Sequence, residues 1–325
     1  MNEVSIIGLD LAKNVFQAHG AGTDGSVVFR RKLLRAQVLK FLDEQPSCVV
    51  AMEACASAHH PGRAISDLGH EIRLSPPAYV KPFVKRQKND MADAQAIAEA
   101  ASRPTMRFVA VKSEAQQAAA MAYRTRDLLV RQRTQTINAL RSHLAEQCIV
   151  APAGPAHVGR LAAVIDGDDG PLSAAVRDLA RLLLGQIADL SEMIAGLDNE
   201  LRRRAGTDET ARRLTTIPGI GPITAAAIMT FAPPMETFSK GRDFAAWVGL
   251  TPRQHSSGGK ERLGRTSKMG QKDIRRLLIT DAIAVVRWAA RKGAPEGSWL
   301  ARMLARKPKM LVAVALATQV RQQTG

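Results

Sequence analysis

Four carboxylates stand where a chain could carry out metal-assisted phosphoryl chemistry. Asp10 closes the short apolar run Val4–Asp10, and Glu53 closes a second run, directly after Val49–Met52. Asp90 and Asp93 are three residues apart in Lys88–Ile97, which reads as the start of a helix, and an i, i+3 pair shares one helix face. Acids at the ends of adjacent strands, joined by a pair on a packing helix, would cluster four negative groups, an arrangement that is unstable unless protonated or metal-bound. The natural partner is a hard divalent cation with oxygen ligands, Mg²⁺ first. Two such ions held by shared carboxylates can stabilise both the attacking and the leaving oxygen of a phosphoryl displacement. Taken singly, each acid has a plainer reading: a strand-end Asp is most often a turn residue, and Asp90 could simply cap its helix.

Two further motifs handle anions. Pro218-Gly-Ile-Gly-Pro222 is a tight turn before the helix-like run Ile223–Thr230. Gly219 and Gly221 would let the backbone approach an anion while the free N–H groups of the helix start face it. That resembles a helix-hairpin-helix element gripping a DNA phosphate without reading sequence; a plain packing corner between two helices is the alternative. The stretch Leu250–Gly270 and its continuation carry Arg253, Lys260, Arg262, Arg265, Lys268, Lys272, Arg275 and Arg276 against only Glu261 and Asp273. Within it, Ser256 or Ser257 could serve as a nucleophile once a base or metal activates it, although a Ser-Gly-Gly sequence is more often only a turn and His255 more often a bystander than a base. Lys81, Lys85, Arg86 and Lys88 lead directly into Asp90, and would set cations beside the acids; a solvated helix face is the equal alternative. Aromatic residues are 4% of the chain, so base stacking does not dominate any binding to nucleic acid.

The elements that must position these groups follow from periodicity. Val4–Asp10, Val15–His19 and Ser26–Arg30 read as strands, with Thr23-Asp-Gly25 as a hairpin signal between the last two. A helix over Arg35–Glu44, a buried strand over Cys48–Met52, a helix over Ala58–Leu68 and a strand over Glu71–Leu74 follow. Three antiparallel strands and then strand–helix alternation predict a mixed α/β sheet covered by helices. Ser113–Cys148, free of Pro and Gly, predicts one long helix, opened by a capping box from Ser113 and Gln116. Ala151–Pro171 reads as a linker with one short helix, and Leu172–Arg204 as a second long helix, pairing with the first as an antiparallel hairpin or coiled coil. Beyond Leu214 the chain reads as mostly helical, interrupted by a glycine-rich basic loop at His255–Gly270.

Composition narrows the class. The 325 residues carry 46 Lys+Arg against 30 Asp+Glu, a net charge of +16, and 46% are hydrophobic. That length favours two or three domains and that apolar fraction excludes wholesale disorder. Residues 201–325 hold 23 basic and 8 acidic side chains, whereas residues 1–200 hold 23 and 22. A field so concentrated points to a polyanion, nucleic acid before an anionic membrane. The three cysteines read as reduced thiols. No apolar run approaches the eighteen residues of a membrane span, and the acid in MNEVSIIGLD sits where a signal peptide wants a basic flank. The expectation is a cytoplasmic protein.

Five motifs in order, Ile7–Phe16, Met52–His59, Val80–Ala94, Ile217–Pro222 and Trp247–Gly264, resemble the DEDD-type insertion-sequence transposases, the bridge-RNA-guided recombinases related to the Piv DNA invertase. The resemblance runs across nearly the whole chain. It implies a RuvC-like (ribonuclease H-like) N-terminal domain over residues 1–108, a helical coiled-coil region over 109–205, and a C-terminal transposase domain over 206–325. It implies that Asp10, Glu53, Asp90 and Asp93 bind Mg²⁺, two ions per site, and that Ser257, rather than its neighbour Ser256, attacks the DNA backbone to form a phosphoserine link. It further implies donor and target double-stranded DNA as partners, a structured non-coding guide (bridge) RNA that pairs with both, and a homotetramer, associated with the bacterial nucleoid, in which the metal site of one subunit meets the serine of another. Such relatives run past the stretch matching Val312–Ala317 into a further basic and aromatic helix, so the last helix here is expected to be short or divergent. A metal-dependent junction-resolvase-like endonuclease using water as nucleophile is the alternative enzyme, and a non-catalytic nucleic-acid-binding protein, with the acids as caps, is the alternative outside enzymes.

Overall fold

A computed structural model describes residues 3–85, 89–167 and 172–319. The chain divides into two compact units, Met1–Gln117 and Ala118–Gly325, so the long-helix region and the basic C-terminal region fall in one unit.

The first unit is built on a five-stranded sheet: β1 (Ile6–Asp10), β2 (Val15–Ala21), β3 (Val27–Leu34), β4 (Val49–Glu53) and β5 (Glu71–Ser75), in the order β3-β2-β1-β4-β5. The first three run antiparallel and β4 and β5 are parallel to β1, the mixed sheet that the strand pattern predicts. The turn between β2 and β3 closes at Gly22, whose carbonyl accepts from the Gly25 N–H at 3.0 Å. Alternation along each strand divides the sheet into two faces. Ile7, Leu9, Phe16, Ala18, Leu33, Val50 and Met52 share one core with α1 (Val38–Asp43) and α2 (His59–Ser66). Ile6, Ala21 and Ala51 share the other with α4 (Asp90–Ala101), which follows the short α3 (Pro77–Val80).

The helix α4 lies unusually close to β1. A Cβ placed on Gly8 would sit 2.1 Å from the Ala94 carbonyl oxygen and 2.9 Å from the Ala98 Cβ. Only a glycine facing alanines allows that approach, which is the use of an isolated glycine inside a strand. Asn89 caps α4 by accepting the Met91 N–H at 3.0 Å.

The second unit begins within α5 (Glu114–Ala145) and contains α7 (Ala174–Thr207). Ser113 and Gln116 form the predicted capping box at the start of α5, exchanging bonds of 3.0 and 3.1 Å. Arg126 pairs with Asp198, and Arg133 donates to Ser191 at 3.3 Å. As the α5 partner advances by seven residues the α7 partner retreats by seven, so these helices are antiparallel, over a core that includes Leu140, Leu144, Ala180 and Ile187. The connection between them carries one short helix, α6 (Val158–Asp166). Beyond it lie α8 (Glu209–Thr215), α9 (Pro222–Phe231), α10 (Gly241–Val248), α11 (Lys272–Lys292), α12 (Trp299–Arg306) and α13 (Lys309–Gln319). Among the described residues no helix is long and apolar enough to cross a membrane.

The glycine-rich basic loop expected at His255–Gly270 belongs to a β-hairpin: β6 (Pro252–Gln254), just before it, pairs antiparallel with β7 (Leu263–Thr266) inside it. At its tip the Lys260 N–H returns to the Ser257 carbonyl at 3.1 Å, with Gly258 at φ +57 and Gly259 at φ +75. Two successive positive φ values are what a tight hairpin turn demands, and two glycines supply them without strain.

Replacing Gly8 by Ala is expected to lower the stability of the protein by about 1–3 kcal/mol through overpacking, read as a reduced urea midpoint. Because the helix must retreat, divalent-cation binding should weaken in the same variant.

Candidate active site

The alternation that sorts the core also aims the acids. Gly8 and Asp10 share a face of β1, and Ala51 and Glu53 share the corresponding face of β4, each pointing toward α4. The parallel register pairs Leu9 with Met52, so Asp10 and Glu53 are the next neighbours along it. Above them α4 presents Asp90 and Asp93 in its first turn. Carboxylate oxygens of Asp10, Asp90 and Asp93 all lie within 4.8 Å of one another. Asn89, not Asp90, makes the helix cap, which leaves the Asp90 carboxylate in the cluster.

Glu53 stands outside that close trio. Its pKa is raised from 4.5 by burial first, then by the charges of Asp10 and Asp93. The fourth acid is therefore within electrostatic reach of the cluster, and like charges so held call for a cation. The donor set is all carboxylate oxygen, the chemistry of Mg²⁺, Mn²⁺ or Ca²⁺ rather than of zinc. Three carboxylates at this spacing, with a fourth partly buried beside them, fit a divalent cation.

The cations named from sequence divide into two groups. Lys81 lies in a short 3₁₀ turn (Lys81–Phe83) and Lys85 just beyond it, exposed, while Arg86 and Lys88 lie outside the described residues. In the basic region, Lys260, Arg262, Arg265, Lys268 and Lys272 are exposed. Arg275 instead donates to the Val248 carbonyl at 2.8 Å, closing the end of α10, and Arg276 pairs with Asp127 of α5. Arg253 reaches the Ser267 carbonyl at 3.3 Å. These three arginines brace the fold, a role that charge counting along a sequence does not reveal.

The two serines differ as well. The Ser256 hydroxyl oxygen accepts the Arg262 N–H at 3.1 Å across the hairpin. Ser257 opens the Gly258-Gly259 turn and is exposed.

At the glycine turn the structure corrects the sequence. The Gly221 N–H, expected to be free for a phosphate, donates to the Asp281 carboxylate of α11 at 3.2 Å, and the buried Thr224 hydroxyl donates to the same oxygen at 2.6 Å. Gly219, at φ +88, makes the turn itself. A carboxylate of the chain thus engages the Gly221 N–H and the Thr224 hydroxyl at the start of α9. Asp281 is sixty residues away, and no local spacing signals it.

Comparison with known proteins points to one family. Residues 7–149 match a model of DEDD transposases of the IS110 type, and residues 211–295 match one described as Transposase IS116/IS110/IS902 family. The chain belongs to the IS110/IS116 family of DEDD transposases. It is 46% identical over 318 residues to a Pseudomonas aeruginosa protein named "Probable family 20 transposase", covering 97% of this chain and 94% of the other. It is 42% identical to the transposase for insertion sequence element IS1328 of Yersinia enterocolitica, covering 98% and 95%. The transposase for insertion sequence element IS1111A of Coxiella burnetii is 36% identical, covering 98% and 88%. A DNA transposase is an enzyme of strand cleavage and transfer, and the strongly basic composition is consistent with a DNA partner.

The raised pKa of Glu53 fixes the sign of two expectations. A carboxylate made more basic by folding destabilises the metal-free fold above its unfolded pKa, and protonation relieves this as the pH falls. Glu53→Gln should therefore raise the melting temperature of the metal-free protein near neutral pH, while lowering the further gain on adding Mg²⁺ or Mn²⁺. Asp10→Asn and Asp93→Asn should reduce that metal-dependent gain most, by thermal melting against a metal titration. The affinity of the wild type should fall with pH as Glu53 takes up its proton.

Proposed function

We propose that this transposase cuts and rejoins DNA by pairing the acidic cluster with a serine nucleophile, under the direction of a structured guide RNA. The observation that carries the reading is the convergence of Asp10, Asp90 and Asp93 within 4.8 Å, with Glu53 at its edge. The strand order β3-β2-β1-β4-β5, with three antiparallel strands and two parallel ones, supports reading the first unit as a RuvC-like, ribonuclease H-like fold. Asp10, Glu53, Asp90 and Asp93 would hold Mg²⁺, two ions in the full site. Ions bound there supply Lewis-acid stabilisation to the attacking and leaving oxygens of a phosphodiester.

The chain itself supplies the rest. Ser257 Oγ forms an ester with phosphorus as a P–O bond of the DNA strand breaks; the hydroxyl loses its proton and the departing sugar oxygen gains one. One phosphodiester is exchanged for another, so the strand can later be passed to a new partner without ATP. Exposure at the hairpin tip favours Ser257, since the Ser256 oxygen is engaged by the Arg262 N–H. Lys260, Arg262, Arg265, Lys268 and Lys272 would hold phosphates of DNA or guide RNA beside it. Donor and target DNA paired with the guide RNA, and a homotetramer working at the nucleoid, complete the proposal. In such a system base pairing supplies sequence recognition and the protein supplies chemistry.

The test is an adduct assay. Purified protein with its guide RNA, both DNAs and Mg²⁺ should leave a protein–DNA species that survives denaturing electrophoresis. Ser257→Ala should abolish it and Ser256→Ala should not. Free 5′-phosphate ends with no adduct, indifferent to Ser257, would instead identify water as the nucleophile.

A further inference from the structure

Beyond the acids, the same sheet face carries cations that the carboxylate motif does not include. On β2, Phe16 and Ala18 belong to the core opposite α4, which places Gln17 and His19 on the α4 side with Ala21. On β3, Phe29 and Leu33 pack into that opposite core, which places Arg30 and Lys32 on the α4 side. The registers then form rows across the sheet. Asp10 pairs with Gln17 and Gln17 with Lys32; one step along, Gly8 pairs with His19 and His19 with Arg30. Neighbouring strands lie about 4.8 Å apart, so the Lys32 backbone is about 10 Å from that of Asp10.

Arg30, Lys32 and Lys85 are exposed, and none of the ion pairs among the described residues engages them. Arg31, on the opposite face, lies over the Phe41 ring at 5.4 Å, so the charge left unused is on the side of the acids. His19 ties the group together. It is buried, its Nδ1 has no hydrogen-bond partner, and burial, then Arg30, then Lys85 lower its pKa from 6.5. Arg30 and Lys85 thus act on the same neutral ring from β3 and from the segment before α4.

We propose that Gln17, Lys32, Arg30 and Lys85 form a track for the DNA phosphate backbone, leading a strand from the sheet edge to the carboxylates. It rests on the reading of the acidic cluster as the cutting centre. A site of four carboxylates repels the polyanion it must cut, and cations two strands from Asp10 offset that repulsion without neutralising the acids. Gln17, between acid and cation in its row, adds an uncharged donor for a phosphate oxygen. At a rise of about 3.4 Å per nucleotide, the distance to Lys32 spans about three nucleotides. DNA rather than RNA is assigned because the strand beside the carboxylates is the one that is cut.

The full chain is titrated, over a series of salt concentrations, with a fluorescein-labelled DNA duplex and with an RNA of equal length. Lys32→Glu and Arg30→Glu should each lower DNA affinity about tenfold and reduce the salt slope by about one. Lys40→Glu, the same charge change on exposed α1 across the sheet, should bind DNA as the wild type does. Mn²⁺ binding should be unaltered in all three. The track is overturned if Lys32→Glu and Arg30→Glu bind DNA within twofold of wild type, if Lys40→Glu loses as much, or if only RNA binding falls. Wild-type DNA binding with edge-to-edge aggregation of the β3 variants would show that the charges merely protect the edge, and also overturns it. Asp10→Asn separates the two ideas: continued cutting by that variant sinks the cutting-centre reading, whereas loss of cutting with unchanged binding in the β3 variants sinks the track alone.

Discussion

Packing of α4 onto β1 at Gly8 is the contact on which the acidic site depends. Carboxylates brought together without a cation repel one another, and the pKa of Glu53 is raised by burial first and then by the charges of Asp10 and Asp93. What holds them is apolar: Ile6, Ala51, Ile97, Ala98 and Ala101 form a core under the helix, and the backbone of Gly8 lets it approach to contact distance. The alanines of α4 matter for the same reason, since a longer side chain at Ala94 or Ala98 would lift Asp90 and Asp93 away from Asp10. Burial of small side chains thus stabilises an arrangement that electrostatics alone would disperse.

The second unit handles charge differently. Part of its positive excess is consumed in holding the fold, through Arg275 on the Val248 carbonyl and Arg276 on Asp127, and part is left on the β6–β7 hairpin. The hairpin holds Ser256 in a cross-strand hydrogen bond and leaves Ser257 at the turn. A tip of this kind is held by the Lys260 N–H on the Ser257 carbonyl yet open to solvent. At α9, by contrast, Asp281 satisfies the helix start internally, since a buried N–H or hydroxyl without a partner costs more than a bond to a carboxylate supplies.

Legibility followed range along the chain. The apolar runs Val4–Asp10 and Cys48–Met52, the Ser113/Gln116 box and the long apolar periods of α5 and α7 depend on residues near one another, and their elements formed where the patterns place them. Asp10, Asp90 and Asp93 were legible because Asp10 ends a strand, Asp90 begins a helix and Asp93 follows it by three on the same helix face. The hairpin at 252–266 was hidden by its brevity and by a polar, glycine-rich sequence, which offers no alternating apolar face. Asp281, the bracing role of Arg276 and the shared face of Gln17, Lys32 and Arg30 were hidden because their partners are distant in sequence or joined only through strand register.

The sequence by itself determined the residue types, the strand and helix periods, the concentration of positive charge after residue 200 and the motifs that mark the family, since these depend on local order alone. Tertiary structure decided which acids share a point, which N–H groups are already bonded and which cations remain available. Those outcomes depend on a sheet register and a glycine-mediated close approach, and both are set by packing between segments that the sequence keeps far apart.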